Sequence, residues 1–204
     1  MSQTGDDVAD GTTREQLRAV LKSQYHASLA MLRQAVEKCP EDLWYNTKHV
    51  NAFWQTAYHT LFFAHLYLQP NEAAFTAWSG HQRWVQYGDG IAGPNNPDSK
   101  LPLLPEPYTR EQVLEYWCVC DEMVDTAVDA LDPLSPESGF SWYKVSKLEH
   151  QIVNIRHIQL GASQLAARLR TTLNVGVDWV GAGRGKPPVQ DNSSLQLSAE
   201  DRGG

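Results

Sequence analysis

Cysteine is scarce in this sequence, and so are long apolar runs and positive charge. Three cysteines, Cys39, Cys118 and Cys120, occur among 204 residues. An odd, small number makes no disulfide framework and suits a reducing compartment. The longest apolar candidate, residues 57–68, is shorter than the ~20 residues a bilayer requires and carries His59 and His65. Residues 1–11 are polar and acidic, without the basic start and apolar stretch of a signal peptide. These absences predict a cytoplasmic protein with no membrane partner. Lysine and arginine total 17 against 24 aspartates and glutamates, a net charge of −7. A surface of that sign repels phosphate backbones, so nucleic acid is not an expected partner.

Several familiar motifs are missing as well. No G-x-S-x-G or H-E-x-x-H occurs. The run Gly181-Ala-Gly-Arg-Gly-Lys186 has neither the spacing, the following Ser or Thr, nor the preceding strand of a phosphate loop. Cys118 and Cys120, two apart on a helix, point nearly opposite ways and do not share a metal. No stretch has a convincing strand pattern, and no internal repeat is visible.

What is present is helical periodicity. Thr12 with Glu15 forms a capping box opening a helix, and Leu17, Val20, Leu21, Leu29, Leu32 and Val36 recur at helical spacing up to about Cys39. Pro40 ends it, and a short turn follows. A second helix spans about 51–69 and is apolar on nearly every side, which predicts a central position. Residues 71–78 suggest a brief helix. Thr109 with Gln112 is a second capping box, opening a helix to about Leu131. A fourth helix runs from about Ser141 to Leu173, with Val145, Leu148, Ile152, Ile155, Ala162, Ala166 and Leu169 as its stripe and Gly176 as its stop. The expected domain layout is a disordered lead-in at 1–11, an all-α four-helix bundle at 12–176 and a flexible tail at 177–204. Residues 79–108, broken by glycines and prolines, form one long crossover loop, read either as a lid over a site or as a solvent-exposed wrap. Trp78 just before it and His81, Trp84 and Tyr87 within it either line a pocket mouth or seal the bundle end.

Seven histidines carry the chemistry to be weighed. His49 and His81 lie in loops, and His26 and His65 have no neighbour at metal-ligand spacing, so these four read as structural or surface residues. His59 lies on the most buried helix, with Ala52, Gln55, Phe62 and Leu66 on one face. His157 lies midway along the fourth helix with Val153, Leu160, Gly161 and Gln164. Buried imidazoles need hydrogen-bond partners or a metal, and facing helices of a bundle can supply two ligands to one ion. Both readings stand from the residues alone.

The segment Phe53-Trp-Gln-Thr-Ala-Tyr-His59-Thr-Leu-Phe-Phe-Ala-His-Leu-Tyr-Leu68 resembles the second helix of DinB-like proteins. The segment Asn154-Ile-Arg-His157-Ile-Gln-Leu-Gly161-Ala-Ser-Gln164-Leu165 is similar to that family's last bundle helix, which usually reads H-x-x-x-H followed by Gln. The resemblance covers roughly residues 12–173. It implies a bundle of up-down-down-up order, frequent homodimers, and a three-histidine site for a divalent metal, often zinc or nickel. Some members resemble transferases that use low-molecular-weight thiols. By this resemblance His59 matches the first ligand and His157 the second. Gly161 stands where the third histidine belongs, so metal is expected to be weakly held or absent. The missing imidazole is expected to leave a small void beside His157 for water or part of a ligand. Two functions follow: a metal- and thiol-dependent enzyme, or a non-catalytic helical module for binding or dimerisation.

Overall fold

The computed structural model describes residues 3–82, 85–86 and 106–183, and among them it is all-helical. The helices are α1 (Gln3–Lys38), α2 (Glu41–Trp44), α3 (Phe53–Leu68), α4 (Arg110–Ala130) and α5 (Lys147–Leu173), with one 3-10 turn at Glu72–Ala74. Most of the 79–108 loop, including Trp84 and Tyr87, lies outside the described residues, as does the tail from 184 onward.

The four long helices pack as a ring in which α1 touches α4 and α5, and α3 touches the same two. Named contacts set their directions. Arg18 binds the Leu131 carbonyl, Lys22 meets Asp129, and Trp117 Nε1 donates to the Leu29 carbonyl at 2.8 Å, so α1 and α4 run antiparallel. Tyr67 packs on His150, the Ala64 carbonyl accepts from Asn154 and Arg168 donates to the Asn51 carbonyl, so α3 and α5 are antiparallel as well. Tyr58 on Tyr116, the Cys120 thiol on the Leu61 carbonyl, and Leu68 beside Met123 step the same way, making α3 and α4 parallel. A tight turn cannot join parallel neighbours, which is why so long a connection separates these two helices.

The core follows the predicted stripe on α1, while α5 buries a neighbouring face: Ala162 and Leu169 of its stripe are buried together with His150, Gln151, Asn154, Ile158 and Leu165. Leu21, Leu29, Leu32, Val36, Ala57, Leu61, Val124, Val128, Leu165 and Leu169 are buried. Val20 and Ile152, assigned to stripes by spacing, are exposed. Helix ends follow local chemistry. Thr109 and Gln112 form the predicted capping box. Gln55 Oε1 accepts from the Ala52 N–H at 2.7 Å. Two ends differ from expectation. The last helix starts at Lys147 rather than near Ser141, because Ser146 Oγ accepts from the Glu149 N–H. It ends at Leu173, as expected, and the left-handed cap is Asn174 at φ 55° rather than Gly176, its N–H bonded to Arg170 O. At the other terminus α1 begins at Gln3, nine residues before Thr12. No proline interrupts that stretch, and Gly5 and Gly11 each cost only about 1 kcal/mol in a helix.

The chain does not leave the bundle after α5. Lys38 Nζ donates to the Gly176 carbonyl at 2.8 Å, Gln34 bonds to both the carbonyl and the N–H of Asp178, and the Gly183 N–H reaches Ser23 O at 2.9 Å. Residues 177–183, expected to begin a flexible tail, therefore lie along α1.

Candidate functional site

Antiparallel packing of α3 on α5 brings His59 and His157 to one level, with ring centroids 5.1 Å apart and planes at 74°. Phe63 packs tilted against His59 at 4.9 Å and edgewise against His157 at 5.6 Å. Tyr67 and Tyr143 complete the walls of an open pocket of about 230 Å³. His59, Phe63 and Tyr67 are four apart along α3, so one side of that helix supplies three of the five walls. The sequence reading placed His59 with Ala52, Gln55, Phe62 and Leu66, which is the neighbouring strip of the same helix. Tyr143 comes from the α4–α5 connection, and no local pattern marks it.

Hydrogen bonding fixes the two rings differently. His59 Nδ1 lies 2.5 Å from the Gln86 carbonyl, which can only accept, so Nδ1 carries the proton. Gln86 belongs to the short described piece of the crossover loop, and that part of the loop does reach the pocket. His157 Nδ1 is buried with no hydrogen-bond partner. Burial, reinforced by His59 alongside, pushes His157 down to about 4, so it is neutral at physiological pH.

The third position is closed. A Cβ built on Gly161 would lie 2.0 Å from Thr60 Oγ1, 2.8 Å from its Cγ2 and 2.9 Å from its Cβ. Thr60 itself is buried, and its hydroxyl is held by the Thr56 carbonyl at 2.8 Å. The space at Gly161 itself is therefore filled by Thr60, and the open pocket beside His157 lies instead between Phe63, Tyr67 and Tyr143. Glycine at 161 lets α3 and α5 approach closely, and Thr60 fills the space that an imidazole would need. Among the described residues, no group of three His, Cys, Asp or Glu side chains is assembled to hold a metal. The three-histidine set does not fit this chain, since Thr60 occupies the space beside Gly161.

The other histidines have separate roles. His26 faces α4, with Nδ1 2.6 Å from Asp121 and Nε2 3.1 Å from Asp125. That places it on the opposite side of the bundle from α3. His65 Nδ1 meets the Tyr116 hydroxyl at 3.1 Å, and burial lowers it to about 4. His81 Nδ1 lies 2.5 Å from the Tyr58 hydroxyl, which itself stacks on Tyr108, so this end of the loop seals the bundle. Trp78, stacked on Tyr116 at 4.8 Å, belongs to the same seal. His150 lies seven residues before His157, two turns along α5 and too far to share an ion with it directly. It is fully buried among Tyr67, Phe140 and Tyr143, and neither of its ring nitrogens has a partner.

Neither cysteine of the Cys118-x-Cys120 pair joins the site. Cys118 is exposed, while Cys120 is buried with its thiol pushed upward by burial. No described helix is long and apolar enough to cross a membrane. Comparison with protein-family models, curated proteins and solved structures found no match.

Proposed function

We propose that this chain is a DinB-like four-helix bundle of up-down-down-up order that binds a small molecule at the His59–His157 pocket, without a three-histidine metal. The contact of Thr60 with Gly161 carries this reading: the two motif histidines converge on an open pocket while the third ligand position is filled by another side chain. The helix directions read from the pairings above support the topology. The two imidazoles offer a polar wall and, at His157 Nδ1, one unsatisfied buried nitrogen, and a ligand with a polar atom beside a ring or alkyl group would meet both.

A second reading keeps a metal. A histidine whose Nδ1–H is anchored on a carbonyl, as His59 is on Gln86, is oriented the way metal-ligating histidines usually are. Here His59 and His157 would hold a divalent ion such as zinc or nickel. A water or a low-molecular-weight thiol would complete its coordination, and a bound metal lowers the pKa of such a group and makes it a nucleophile. Zinc titration of untagged protein by calorimetry, with and without added thiol, separates the two readings. Tight stoichiometric binding that disappears in His59→Ala supports the metal enzyme. Weak or no binding in both conditions supports the binding module. The homodimer implied by the resemblance is a further part of this proposal, and sedimentation equilibrium tests it.

A further inference from the structure

Beside the histidine pocket lies a second cavity of about 390 Å³, sharing the walls Phe63 and Tyr67. Among the described residues, Phe62, Phe75 and Trp142 bring its aromatic side chains to five, and Glu72 is its one charged lining residue. The rings are packed edge to face: Phe62 on Phe75 at 5.3 Å and 73°, and Phe62 on Phe63 at 5.4 Å and 78°. Trp142 is 47 % exposed although it is a large aromatic side chain. Among the described residues, no lysine or arginine lines the cavity.

We infer that this cavity binds a small alkylammonium cation, with the aromatic rings around the charged head and Glu72 as counter-charge. Aromatic faces carry negative quadrupole potential and attract cations that are weakly hydrated. A quaternary or alkylated ammonium suits such walls because its methyl groups are apolar while its charge is diffuse, so the desolvation that opposes burial of a bare ammonium is small. Glu72 stands in the Glu72–Ala74 turn, which is anchored by the Asn71 side chain accepting from the Ala74 N–H at 3.0 Å. Among the described residues, the Glu72 carboxylate makes no ion pair. The chain's net charge of −7 adds attraction of the same sign. An anionic or uncharged ligand would leave Glu72 either repelling it or unused. The inference needs no metal and does not depend on the histidine pair.

The test is a calorimetric or NMR titration of metal-free full-length protein with choline and phenyltrimethylammonium, and with 3,3-dimethylbutan-1-ol as the uncharged isostere of choline. The cations are expected to saturate one site and to bind roughly tenfold tighter than the isostere. Glu72→Gln should weaken the cations several-fold and leave the isostere unchanged. Trp142→Ala should weaken both. Both residues are exposed, and far-UV circular dichroism checks that the variants remain folded. Equal affinity for choline and its isostere overturns the inference, as does a Glu72→Gln variant that binds cations like wild type or the absence of saturable binding by either cation. His157→Ala should leave choline binding in place, so a failure of the histidine-pocket reading is distinguishable from a failure here.

Discussion

Replacing Gly161 by alanine is the sharpest perturbation of the α3–α5 contact. In an exposed helix the change would stabilise by about 1 kcal/mol, because alanine is the better helix former. Here the added methyl would start 2.0 Å from Thr60 Oγ1 and 2.9 Å from Thr60 Cβ. Ordinary carbon contacts lie at about 3.5–4.0 Å. Turning the threonine side chain does not help, because its Cβ is itself too close and its hydroxyl is tied to the Thr56 carbonyl. The helices must separate, which strains the neighbouring Asn154–Ala64 bond and the His59–His157 contact. Overpacking of this kind typically costs about 1–3 kcal/mol, which outweighs the helix-propensity gain. The expected net loss is about 1–2 kcal/mol, or a fall in Tm of roughly 2–8 °C for a domain of this size. Urea unfolding followed by far-UV circular dichroism measures it. The double variant Thr60→Ala/Gly161→Ala should recover about 1 kcal/mol relative to the sum of the single changes, because the two sites are in contact. A Gly161→Ala variant more stable than wild type would refute the close approach and reopen the third ligand position.

Three further outcomes follow from the packing. His150 is buried and its pKa is lowered from 6.5 to about 4, first by burial and second by Lys147 nearby, so its native form stays neutral while the unfolded chain takes up a proton. Stability from this residue is complete above pH 6.5 and falls as pH drops toward 4, by about 3 kcal/mol at most, and His150→Phe should flatten the slope of urea midpoint against pH; an unchanged slope would contradict it. Asn174 is left-handed at the end of α5, so Asn174→Gly should leave stability equal or higher by a few tenths of a kcal/mol, whereas Asn174→Val should cost more than about 1 kcal/mol in the same denaturation assay. Ser146→Ala removes the N-cap of α5 and should cost about 1 kcal/mol, read from the thermal midpoint.

The four helices were readable because each apolar stripe is long and regular. The capping box at Thr109 and the proline after Cys39 located two ends within a residue or two. Ser146 and Glu149 form the same kind of cap signature, yet the apolar Val145 just before them continued the stripe and hid it. Asn174 and Gly176 both take a left-handed conformation readily, so local sequence does not decide between them as the cap. At the site, His59 and His157 were legible as a pair only through the family-like spacing around them, since helix periodicity cannot say which two faces meet. The strip of α3 facing the pocket was off by one position for the same reason: a helix apolar on nearly all sides has no sequence signal for its orientation. Thr60 opposite Gly161, Gln86 on His59 and Tyr143 in the pocket wall are all contacts between residues distant in the chain. A single sequence gives no sign of them. The crossover loop has the same limit, since its glycines and prolines mark it as irregular without showing what it touches.

His59 and His157 form a two-imidazole pocket with Thr60 in place of a third protein donor. Elemental analysis of untagged protein after dialysis, run beside His59→Ala, tests it most directly. The account predicts zinc and nickel far below one per chain in both proteins. One tightly held metal per wild-type chain, lost in His59→Ala, would contradict it.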